Sequence, residues 1–248
     1  MKKILYLLLL SPLLWSCEPD DPKPVDPVVE TVKVSINPTY GNQAFYMDSV
    51  YTTAEGYKVK FTELTCYFTL LGNGTNQLIE AALFNFRETG STLVSKPANH
   101  LNYANLSGKI GVDSSLNHLD PSAFPNESPL NISNAGPMHW GWNPGYIFLN
   151  IEGKVDTIVD ATNNLDLSFS FHVGKDSYLQ SFNFENVSWQ DKGNNQWELP
   201  LKLDLANFLS NPLSPINLKT EYLTHTGAGQ ESLTQKVIQN FKNALTLN

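Results

Sequence analysis

Leu165-Asp166-Leu167-Ser168-Phe169-Ser170-Phe171-His172-Val173 alternates apolar and polar side chains without a break. A strand sends successive side chains to opposite faces, so this period of two predicts a strand with one buried face. The same reading extends in both directions. Val32, Val34 and Ile36 alternate with polar neighbours, as do Val59 and Phe61, then Leu64, Cys66, Phe68 and Leu70. Trp197, Leu199, Leu201, Leu203 and Leu205 repeat the pattern, and Pro200 among them points to an edge strand. Phe182 and Phe184 begin another strand, and the phase change at Val187 and Trp189 predicts a bulge. Tyr146 to Ile151 is almost wholly apolar and should be covered on both faces. Clusters such as Gly72-Asn73-Gly74 and Lys192-Gly193-Asn194-Asn195 supply turns between these runs. Many short strands with such turns predict an all-β fold, an antiparallel β-sandwich with long loops. Val237, Ile238, Phe241 and Leu245 fall at helical spacing and predict a short C-terminal helix. Residues 88–143 are less regular, with helical turns expected near Leu116 and Phe124. Long loops in a compact domain often carry function.

Composition narrows the function. The 248 residues hold 16 basic and 24 acidic side chains, and Arg87 is the single arginine. A nucleic-acid backbone is bound by clustered Lys and Arg, which this chain lacks, so no nucleic-acid partner is expected. No G-x-S-x-G, phosphate-binding glycine loop or H-E-x-x-H occurs, and the reading is that the chain is not an enzyme.

The N-terminus reads as an export signal. Lys2 and Lys3 precede an apolar run from Ile4 to Leu10 that is too short for a span of about 20 residues. Leu14-Trp15-Ser16-Cys17 resembles a bacterial lipobox, in which Cys17 is acylated and becomes the mature N-terminus. Residues 1–16 are then a lipoprotein signal peptide. Residues 17–30, rich in proline and acid, form an extended tether, and 31–248 form the domain. The chain is expected outside the cytoplasm, lipid-anchored to the bacterial, and specifically the outer, membrane. Cys66 is the remaining thiol and should pack as a small hydrophobe.

Chemistry-bearing residues are densest between Gly136 and Tyr146. Met138, His139, Trp140 and Trp142 lie within five residues, and imidazole and thioether suit copper. By spacing alone the segment reads rather as an aromatic corner packed over the end of the sandwich. His172 falls on the polar face of its strand and His225 just before the terminal helix, while His100 and His118 read as surface residues. Asp113, Asn117 and Asp120 offer oxygen ligands but lack calcium-loop spacing.

The run Met138-His139-Trp140-Gly141-Trp142-Asn143-Pro144-Gly145-Tyr146-Ile147-Phe148, with Glu152-Gly153, resembles the M-x-W-x-W-x-x-G-Y-x-F…E-G signature of the MbnP-like family. These are methanobactin-associated periplasmic copper-binding proteins. Gly111-Val112-Asp113, Phe171-His172-Val173-Gly174, and His225 with Asn240 and Phe241 resemble further family segments in the same order. The resemblance implies a β-sandwich that binds copper, with a tryptophan oxidised to kynurenine by a di-haem, peroxidase-like partner. It implies metal ligands among His172, His225, His139 and Met138, with Trp140 or Trp142 the modified residue. Indole has no lone pair for a metal, whereas kynurenine gains an aniline nitrogen beside a ketone. The competing reading is a surface lipoprotein that binds glycan or protein without metal, through an exposed aromatic platform.

Overall fold

A computed structural model describes residues 29–141, 145–159 and 164–248. The signal peptide, Cys17, the tether up to residue 28 and Trp142 lie outside the described residues. The chain is mostly β, with two curled mixed sheets and a C-terminal helix. The smaller sheet runs Gln190–Asp191, Gln196–Asp204, Thr31–Tyr40, Gln43–Ala44, with Thr92–Pro97 and Leu245–Leu247 also pairing into it. The larger runs Gln180–Phe184, Leu106–Ile110, Lys58–Gly72, Gly145–Asp156, Leu167–Gly174, Leu223–Thr224. Inward side chains of both sheets, including Val34, Ile36, Leu201, Phe61, Leu64, Phe169 and Phe171, form one apolar core.

The antiparallel expectation is corrected. Thr31–Tyr40 runs parallel to Gln196–Asp204, and Leu167–Gly174 runs parallel to Leu223–Thr224. Alternation reads the same in either direction along a strand, so it fixes the buried face and not the orientation of the partner.

Pro200 is a second correction. Its strand is central, between Thr31–Tyr40 on one side and two short strands on the other. Those two pair with residues 197–198 and 201–203, so Pro200 sits in the gap between them. A residue without an N–H is tolerated where no ladder partner stands. The expected bulge after Phe184 is also absent. The strand ends there, Asn186 turns with φ 53°, and the chain crosses to the other sheet at Gln190.

Residues 58–72 form one continuous strand. Its register shifts between Phe61 and Glu63, which moves the buried set from Val59 and Phe61 to Leu64, Cys66 and Phe68. A bulge does this because one extra residue inverts the facing of everything beyond it. Leu70 breaks the pattern again, with φ 52° and an exposed side chain, and Leu71 takes the core position. Cys66 is fully buried, and burial pushes its thiol well above the usual range, as expected of a packing residue.

The outer face of the larger sheet is covered too. Tyr67, Tyr146 and Phe148 pack there under Val112, Leu116, Phe124, Leu130 and Met138 from the irregular segment. That segment is built of single turns, several of them started by a side-chain cap. Asp113 accepts from Ser115 N at 3.0 Å, Asp120 from Ser122 N at 2.8 Å, and Asn131 from Ser133 N at 2.9 Å. This cover explains why Tyr146 to Ile151 is apolar on both faces.

The C-terminal helix, Glu231–Ala244, buries Val237, Ile238 and Phe241. Buried Asn240 donates to the carbonyls of Phe208 (3.1 Å) and Ser214 (2.7 Å), tying the helix to the short helix Leu205–Leu209 and the loop after it. Asn240→Leu strands both acceptors. We expect a loss of about 2 kcal/mol in chemical denaturation, with thermal unfolding about 4–8 °C lower.

Candidate metal centre

His172 and His225 are brought together by the parallel pairing at the sheet edge. Ser170 and Phe171 lie opposite Leu223 and Thr224, so the next residue on each strand, His172 and His225, stand side by side. Their rings stack with centroids 4.6 Å apart and planes 8° from parallel. The turn that carries His225 is pinned from below. Thr226, at φ 58°, donates through Oγ1 to the His172 carbonyl (2.9 Å) and accepts from Gly174 N (3.1 Å). Lys175 Nζ donates to the Thr226 carbonyl at 2.7 Å.

Two further side chains close the arrangement. Glu152 lies opposite Ser170 on the neighbouring strand, and its Oε1 is 2.6 Å from His172 Nε2. Ser170 Oγ is 3.1 Å from His172 Nε2 and 3.3 Å from His225 Nε2, so both rings aim the same nitrogen at one hydroxyl. Burial pushes His225 below the ordinary imidazole value, and the neighbouring His172 adds to that effect. A neutral ring keeps a lone pair for a ligand. Asn150 lies directly opposite His172 and shares its face of the sheet. Its Oδ1 is buried and has no hydrogen-bond partner among the described residues. A buried acceptor left bare is costly, so this position is suited to a cation or a donor group.

The tryptophan corner reaches the same face. Trp140 lies against Gly174, two residues beyond His172. A Cβ on Gly174 would come 2.6 Å from Trp140 Cζ3 and 2.8 Å from the Tyr146 carbonyl oxygen. Only glycine leaves room for the indole there. Its neighbours point elsewhere. His139 packs edge-on against Tyr146, with centroids 4.7 Å apart, and lines a separate pocket with Asp120, Pro121 and Ile132. Desolvation pushes His139 below its usual value. Met138 is buried in the outer apolar cluster. The structure thus joins His172, His225 and the Trp140 side of the corner, and places His139 and Met138 apart from them.

No group of three or more His, Cys, Asp and Glu side chains is arranged to hold a metal ion among the described residues. Two imidazoles suit a borderline cation, copper among them, with at least one further ligand required. The calcium reading finds no support, because Asp113 and Asp120 cap their own turns. Asn117 accepts from Tyr146 N at 2.9 Å and donates to Asp176 at 2.8 Å.

Sequence reading missed Glu152 and Asn150 as members of this face. Glu152 was visible only as part of the E-G pair, and Asn150 sat inside an apolar run. His100 is not a surface residue. It stacks on Trp197 at 3.6 Å and bonds Glu30 through Nδ1 at 2.9 Å.

Comparison with known proteins adds two findings. The model of the MbnP family matches residues 29–228. The structure of MbnP from Methylosinus trichosporium is similar with a TM-score of 0.51 and 13% sequence identity, over 89% of this chain and 98% of that one. At that identity the likeness concerns the fold. No curated protein matches the chain.

Proposed function

Because the chain belongs to the MbnP family, whose members are generally copper-binding proteins rather than enzymes, we propose that it is a lipid-anchored, extracytoplasmic copper-binding protein centred on His172 and His225. The observation that carries this reading is the stacked histidine pair at the sheet edge, with the bare Asn150 oxygen opposite His172 on the same face. Imidazole nitrogen is a good copper ligand, and the pair supplies two. A third comes from a modified tryptophan. Trp140 is the candidate the described residues include, and its indole lies against Gly174 on the histidine face. Oxidation to kynurenine by a di-haem, peroxidase-like partner would turn a ring without a lone pair into one with an aniline nitrogen. Cys17 carries the lipid, and the segment up to residue 30 holds the domain off the outer membrane.

The glycan-binding reading needs an aromatic platform and dispersed histidines. Trp140, Trp189 and Trp197 instead serve separate places. Trp189 donates to the Tyr103 carbonyl at 2.9 Å, and Trp197 stacks under His100.

The test is copper titration of the exported protein purified from its native host, with intact mass recorded alongside. We expect one tight copper equivalent and a mass that differs from residues 17–248 of the encoded chain by one tryptophan-to-kynurenine conversion plus the lipid. An unmodified tryptophan set with no bound copper would overturn the reading and move attention to glycan binding.

A further inference from the structure

Glu152 is the shortest polar contact of His172, and that contact decides which ring nitrogen is free. An ionised carboxylate can only accept hydrogen bonds. At 2.6 Å from Glu152 Oε1, His172 Nε2 must therefore carry the hydrogen between them. The other tautomer would set two lone pairs against each other at that separation. Ser170 completes a consistent pattern. Its hydroxyl has one hydrogen, and with His172 Nε2–H turned to Glu152 that hydrogen is free for His225 Nε2, 3.3 Å away. In the metal-free protein every donor then meets an acceptor along the row His225, Ser170, His172, Glu152, and a cation at His225 Nε2 would take the place of the Ser170 hydrogen.

We propose that Glu152 is the positioning residue of this centre: its carboxylate holds neutral His172 as the Nε2–H tautomer and leaves Nδ1 as the ring's only lone pair for a ligand. The use of that lone pair rests on the copper reading above; the tautomer itself needs no metal. A carboxylate on the far nitrogen of a ligating histidine fixes ring orientation and raises ligand basicity. The fold places Glu152 for this role, because it stands opposite Ser170 on the strand paired with that of His172. Glu152 is the more exposed of the two side chains, at 40% against 18%, so its charge remains solvated while it holds the more buried ring.

The test reads the tautomer in the metal-free, nitrogen-15-labelled protein by NMR, about two pH units above the ordinary imidazole value of about 6.5. In the wild type, His172 should show a protonated Nε2 and a bare Nδ1. In Glu152→Leu, Ser170 is the remaining partner at 3.1 Å and can donate as well as accept, so the single tautomer should give way to a mixture. Copper affinity should fall about 10–100-fold in that variant. Glu152→Gln, whose amide oxygen still accepts, should restore the wild-type tautomer and most of the affinity. A bare Nε2 on His172 in the wild type would overturn the proposal, as would a tautomer unchanged in a folded Glu152→Leu protein. A wild type with the expected tautomer that binds no copper would overturn the copper reading and leave the Glu152–His172 assignment standing.

Discussion

The His172→Ala, His225→Ala double variant should bind copper at least about 100-fold more weakly than the wild type, as more than the 10–100-fold typical of outer partners is at stake when ligands themselves go. The two rings are the only imidazoles that the described structure stacks together, and they come from different strands joined by a parallel pair. Removing one leaves the other aimed at Ser170, with a single nitrogen and a bare amide oxygen nearby. Single variants should therefore lose most of the affinity, and the double variant little more than the worse single one, since the ligands act as a unit. The fold should survive. Both side chains project from the outer face, while Phe169, Phe171 and Val173 on the same strand hold the core. The measurement is a competitive copper titration on singly and doubly substituted chains, with far-ultraviolet circular dichroism as the folding control. Undiminished affinity in the folded double variant would move the centre away from this edge, and His139 with its pocket beside Asp120 would become the next place to substitute.

How much of this was legible depends on what alternation encodes. The strand from Leu167 to Gly174 was readable because period two separates Phe169, Phe171 and Val173 from Ser170 and His172. That same reading put His172 on the correct face. It could not put His225 beside it, because the partner strand is two residues long and runs parallel. Glu152 and Asn150 were hidden for a different reason. They are the polar members of a strand covered on both faces, where apolar neighbours drown the alternation. The bulge in Lys58–Gly72 shows the converse. The phase change between Phe61 and Leu64 is visible in the sequence, and the ladder shows its cause, a register shift within one continuous strand. Asn240 was legible as a residue of the helix, but its two carbonyl partners lie 26 and 32 residues earlier, in a loop and in the short helix Leu205–Leu209 before it, too short for a period to read.

Gly153→Ala should be the most damaging single methyl in the chain, lowering stability by about 3 kcal/mol or more, equivalent to a fall of about 6–12 °C in thermal midpoint. The reason is space, not backbone conformation, since Gly153 is absent from the positive-φ residues. It lies on the central strand of the larger sheet, opposite Phe61 on one side and Phe169 on the other. Those two rings meet edge to face across it, with centroids 5.6 Å apart and planes at 83°. A Cβ would overlap the ring edge of Phe169 and the carbonyl oxygen of Lys60, beside the bulge. A flexible side chain could swing away, but a carbonyl in a ladder cannot move without parting two strands. Shrinking the ring, as in a Gly153→Ala, Phe169→Leu pair, should therefore rescue only part of the loss. Urea denaturation of the three proteins separates the two contributions. A cost below about 1 kcal/mol for the single variant would mean that the strands yield easily. The damage should also travel one residue along the strand, because Glu152 precedes Gly153 and holds His172. The glycine of the E-G pair thus keeps two strands close enough to pack Phe61 against Phe169, and the glutamate beside it faces the other way, onto the histidines.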